Sequence, residues 1–64
     1  MNYLNKQTAK LLNVGDTIHI VSQTLDVTGT IVWKEPSGLG IGCSDGVRVG
    51  VFFNEANKYK FEIV

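Results

Sequence analysis

The sequence predicts a mainly β domain, a single five-stranded small barrel with a short helix ahead of it. Three observations carry that reading. Short runs alternate apolar and polar residues with the period of a strand. Turn residues interrupt these runs at close intervals, as at Glu35-Pro36-Ser37-Gly38 and Ser44-Asp45-Gly46. The chain has 64 residues, which is enough for one core and no more. Closure of the sheet is expected because it removes exposed strand edges.

The elements follow in order. Residues 1–13 read as a short N-terminal helix or arm, and residues 14–64 as the barrel. Asn5 is a suitable N-cap for a helix over Asn5 to Leu12, with Leu4, Thr8, Leu11 and Leu12 on one side. About two turns do not persist alone in water, so this piece must dock on the rest. Val14-Gly15-Asp16 leads into a strand over Asp16 to Val21, where Ile18 and Ile20 share a face. Thr17, His19 and Val21 take the other face. Asp26 to Lys34 alternates again. Val27, Gly29, Ile31 and Trp33 point one way, and Thr28, Thr30, Val32 and Lys34 the other. Glu35-Pro36-Ser37-Gly38 carries Pro and Gly where a type I turn wants them. Asn54 to Lys58 suits a single helical turn, and Tyr59 to Val64 a closing strand.

The hairpin between Leu39 and Phe53 sets its own register. A two-residue loop at Asp45-Gly46 places Cys43 opposite Arg48 and mixes polarity on both faces. A three-residue loop with Gly46 left-handed places Leu39, Ile41 and Cys43 opposite Val51, Val49 and Val47. Every branched residue then falls on one face. The other face holds Gly40, Gly42, Gly50, Arg48 and Phe52. A slip of one residue flips every side chain, so burial selects the second register.

Composition narrows the function classes. Six basic and six acidic residues cancel and are interspersed, which argues against non-specific DNA binding. One cysteine excludes an intrachain disulfide and suits a reducing compartment. No Cys/His cluster offers a metal site. No apolar run approaches a membrane span, and residues 1–6 lack the apolar core of a signal peptide. A cytoplasmic protein without a cofactor, metal or membrane partner is expected.

The runs Val14-Gly15-Asp16-Thr17-Ile18-His19-Ile20, Thr28-Gly29-Thr30-Ile31-Val32, Val47-Arg48-Val49-Gly50-Val51-Phe52-Phe53 and Phe61-Glu62-Ile63-Val64 resemble the Src-homology-3-like small barrels. The resemblance covers residues 14–64 and implies a binding module. That superfamily includes peptide binders, KOW-type ribosome and transcription modules and small photosynthetic subunits. A short helix before Ile18-His19-Ile20-Val21 and Thr28-Gly29-Thr30-Ile31 is similar to the Sm/Hfq proteins, which form RNA-binding rings. Ser22-Gln23 stands where those proteins have Asn-Gly, and their Asp after the second strand is missing. Gly29-Thr30-Ile31-Val32-Trp33 followed by Gly38-Leu39-Gly40-Ile41-Gly42 resembles the later strands of PilZ domains. Those domains bind cyclic dinucleotides through an upstream arginine motif that this chain lacks.

Residues with chemistry in them have ordinary explanations close at hand. His19 alternates with Ile18 and Ile20 and faces outward, with no partner placed by the sequence. Cys43 falls on the core face, where a free thiol behaves as a small apolar group. The carboxylates are scattered, and Asp45 is explained by its turn. Gly38-x-Gly40-x-Gly42 lies within a strand, so it is not a dinucleotide fingerprint. Trp33 suits the core or barrel rim, or else a ligand-stacking platform.

The glycine face is the strongest functional candidate, because glycine weakens a strand and calls for a reason. Three reasons stand open: curvature, close approach of another backbone, or a flat ligand held by Arg48 and Phe52. The expected function is a non-enzymatic protein-interaction module that self-associates as a homo-oligomer. The alternative is an RNA or small nucleotide-ligand binder, as an Sm-like ring or a sequestering protein, such as a phage-encoded regulator. The binding residues expected are Gly40, Gly42, Arg48, Gly50 and Phe52, with Trp33 and Lys34.

Overall fold

A computed structural model describes residues 2–64, with side chains for all of these except 55–57. Its hairpin follows the polarity argument. Strands β4 (Gly38–Gly42) and β5 (Arg48–Phe52) pair Leu39 with Val51, Ile41 with Val49 and Gly42 with Arg48. The loop has three residues, and Gly46 takes a φ of +87°, a conformation that branched residues resist. Asp45 supports the turn by accepting the Val47 N–H at 3.0 Å.

Burial on that face fades toward the hairpin tip. Leu39, Ile41 and Val51 are fully buried, while Val49 packs against the core from its margin. Cys43 is half-buried, and Val47 is 53% exposed despite its apolar character. The tip extends beyond the layer that covers the sheet, so alternation sets direction there without supplying burial.

Among the described residues, six antiparallel strands form one sheet, in the order β1-β6-β2-β3-β4-β5. The remaining strands are β1 (Asn2–Tyr3), β2 (Thr17–Val21), β3 (Asp26–Glu35) and β6 (Lys60–Ile63). This corrects the expected five-stranded closed barrel in two respects. A short first strand, β1, pairs with β6 through Asn2 with Phe61 and Tyr3 with Lys60. The sheet is also open, with β1 and β5 at its two edges. Closure is not required for burial here. Leu4, Ala9 and Leu12 of the N-terminal segment join Phe53 in the same core as Ile18, Ile20, Ile31 and Phe61. These residues cover the sheet from within.

The expected helix over Asn5 to Leu12 contracts to a 3-10 turn at Thr8–Leu11. Asn5 does cap it. The Asn5 Oδ1 accepts the N–H groups of Gln7 and Thr8, each at 2.9 Å, and the Thr8 hydroxyl accepts the Asn5 N–H at 2.9 Å. This reciprocal pair is a capping box. The shorter turn buries Ala9 and Leu12, and Leu11, expected on the docked side, is 61% exposed. A second 3-10 turn, Phe53–Lys58, links β5 to β6 and agrees with the helical turn expected over Asn54 to Lys58.

The largest departure from alternation lies in β3. Thr30 pairs with Gly42 and Ile31 with Ile41, but the next pair is Trp33 with Gly40. Val32 is therefore an extra residue, a β-bulge. Beyond it the faces exchange. Trp33 turns onto the outer face, away from Ile31, and Lys34 turns off it. The Lys34 ammonium instead donates to the Leu12 carbonyl at 2.8 Å and ties the N-terminal segment to β3. No helix among the described residues is long and apolar enough to cross a membrane.

Candidate binding surface

The outer face of β3, β4 and β5 brings together Trp33, Gly40, Gly42, Arg48, Gly50 and Phe52. Of the residues expected to bind, only Lys34 is elsewhere, held at the Leu12 carbonyl. The face is not bare. The Trp33 indole lies across Gly40, and a Cβ at Gly40 would overlap the indole ring. Close approach of a side chain therefore explains Gly40, which is buried. Gly42 faces Val32, whose Cγ1 would stand 3.0 Å from a Cβ there. Gly50 has no such explanation: it is exposed, and a Cβ would meet only Trp33 Cζ2, at 4.0 Å.

Two aromatics remain open to solvent beside this glycine floor. Trp33 is 40% exposed and Phe52 is 55% exposed. Arg48 lies two residues along β5 from Gly50, with its side chain exposed. Val32 joins them as an exposed apolar residue, and sequence reasoning did not place it there. The only signal for Val32 is the bulge, which depends on the partner strand. Together these residues offer apolar area, an aromatic plane and a fork of donors on one face. A hollow of about 780 Å³ lies at the other end of the sheet, between Tyr3, Val21, Tyr59 and Lys60. It opens broadly to solvent and shares no residue with the glycine face.

His19 has more company than the sequence indicated. It faces outward on β2, as alternation requires, between Thr28 of β3 and Glu62 of β6. Its Nε2 lies 2.5 Å from Asp26 Oδ1, and its Nδ1 lies 3.5 Å from Glu62 Oε1. The hydrogen bond to Asp26 raises its pKa above 6.5, partial desolvation opposes this, and Glu62 adds to the rise. Among the described residues, the ring's hydrogen-bond and ion-pair partners are Asp26 and Glu62.

A pH dependence follows from that shift. A raised folded pKa means that the protonated ring favours the folded state. The stabilisation is fully present below the unfolded value of 6.5 and is lost as pH rises through the raised folded value. Thermal melts across about pH 5–8 are expected to show a modest fall in Tm on the alkaline side. His19→Gln should flatten that fall. An unaltered slope in the variant would assign the dependence to other groups.

No family model matches the chain, and no curated protein matches it. The class that the fold and surface define is a small, open, antiparallel β domain with an exposed aromatic and glycine face.

Proposed function

We propose that this chain is a non-enzymatic protein-interaction module that self-associates through the outer face of β4 and β5. The observation that carries the reading is Phe52. A phenylalanine stands 55% exposed beside Gly50, with Trp33 and Arg48 flanking the same surface. Burying a phenylalanine contributes about 1.5–3 kcal/mol, which is available only if something covers it. Exposed apolar surface rimmed by polar groups is the usual mark of a contact.

Phe52→Ser tests this without disturbing the core, because the side chain points away from it. Sedimentation of the wild type over a concentration series is expected to show association that weakens in the variant. Thermal stability of the monomer should change little. An unchanged mass for both proteins at every concentration would remove the proposal and leave the glycines to serve packing alone.

A second reading, an RNA or nucleotide ligand, rests on the same aromatic pair. Bases stack on exposed aromatic planes, and Arg48 offers a phosphate partner. Trp33 is the single tryptophan, so its fluorescence reports directly on this surface. Quenching by single-stranded RNA or a nucleotide, with no dependence on protein concentration, would favour this reading over self-association.

A further inference from the structure

We propose that two copies join edge to edge through β5, antiparallel and centred on Gly50, to make one continuous sheet. This rests on the self-association reading above but moves the contact from the outer face to the β5 edge that borders it. The argument begins with hydrogen bonds already used. Phe53 donates its N–H to the Ser37 carbonyl at 3.0 Å, and Cys43 donates to the Val47 carbonyl at 2.8 Å. In an antiparallel pair, bonded and non-bonded positions alternate. Val47, Val49, Val51 and Phe53 thus turn their backbone groups toward β4. Arg48, Gly50 and Phe52 turn theirs to the open edge, where none of the described residues bonds to them.

Of the usual protections this edge carries a single charge, Arg48. Natural edge strands are kept apart by proline, by lysine, by bulges or by very short length. The other edge, β1, is two residues long. In contrast, β5 is five residues long, contains no proline, pairs with β4 in unbroken register and carries Arg48 as its one charge. Its residues Arg48 to Phe52 form an extended template.

The strand is also complementary to itself. Turned about a two-fold axis through Gly50, it places Gly50 against Gly50 of the second copy and Arg48 against Phe52. Every outward N–H and C=O of Arg48, Gly50 and Phe52 then finds a partner. Each guanidinium lies beside an aromatic ring, a cation–π arrangement. Gly50, which no neighbour among the described residues explains, lies at the centre, where a side chain on each copy would meet the other. Sliding the strands by one two-fold position leaves Phe52 against the turn at Gly46 and its backbone groups unpaired. A further slide the same way stacks the two Arg48 side chains. A second copy fits this edge better than an unrelated peptide, since the pairing needs only residues that the chain carries. The contact is isologous and closes as a dimer.

Two sets of variants test this. Gly50→Pro removes an N–H that no β4 residue uses, and edge positions of that kind tolerate proline. Its dimer dissociation constant is expected to rise at least about tenfold, a change of about 1.4 kcal/mol, with an unchanged far-UV spectrum. Phe52→Lys sets like charges opposite each other and should give monomer. Phe52→Glu sets a carboxylate opposite Arg48 and should keep the dimer. The double variant Arg48→Glu with Phe52→Lys should restore it. The charge series decides the matter even if Gly50→Pro fails to fold. If the wild type self-associates but the lysine and glutamate variants weaken it equally, the edge register is overturned and the outer-face reading stands. A wild type that is monomeric at all concentrations overturns both.

Discussion

Ile41→Ala is expected to lower stability by about 2–5 kcal/mol, the range for emptying a fully buried branched site. Ile41 has no exposed surface and sits at the centre of the core between Ile31 and Val49 in adjacent strands. A single core in so short a chain supplies only ~3–5 kcal/mol. The variant should therefore have little cooperative transition left in urea at room temperature. Val47→Ala offers the contrast. Val47 belongs to the same face by alternation, yet it is 53% exposed at the hairpin tip. Its removal should change stability by no more than about 0.5 kcal/mol. Equal losses for the two variants would show that the tip is covered and the burial gradient wrong.

Gly40→Val should have the next largest effect. The new Cβ would overlap the Trp33 indole, so the ring must leave the sheet or the strands must part. Overfilling a packed site costs about 1–3 kcal/mol. Loss of the ring's contact with Gly40 should also move the Trp33 emission to longer wavelength. Gly50→Ala is the control, since a Cβ there meets nothing closer than 4.0 Å. It should leave the monomer as stable as before, or slightly more so, because alanine suits a strand better than glycine. Matching emission shifts in both variants would mean that the indole does not rest on Gly40.

The polarity of the chain by itself determined the β4–β5 hairpin. Only one register separates Leu39, Ile41 and Val51 from Gly40, Arg48 and Phe52, and the three-residue loop with Gly46 left-handed realises it. The strands around Ile18 and Ile20 and the outward turn of His19 were legible for the same reason, since alternation is a local property. The place of Trp33 was not. It depends on the bulge at Val32, which arises where β3 passes from one pairing to the next, and no local pattern marks that position. That one residue moves Trp33 from an expected core face to the candidate surface and sends Lys34 to the Leu12 carbonyl. Likewise the carboxylates around His19 come from Asp26 and Glu62, which only strand order brings together. The openness of the sheet is a tertiary outcome too. Leu4, Ala9 and Leu12 fill the space beneath the strands, so the core is buried without pairing β5 to β1, and the β5 edge is left free. Alternation decides which way a side chain points within one strand, whereas bulges, strand order and coverage depend on residues far away in the chain.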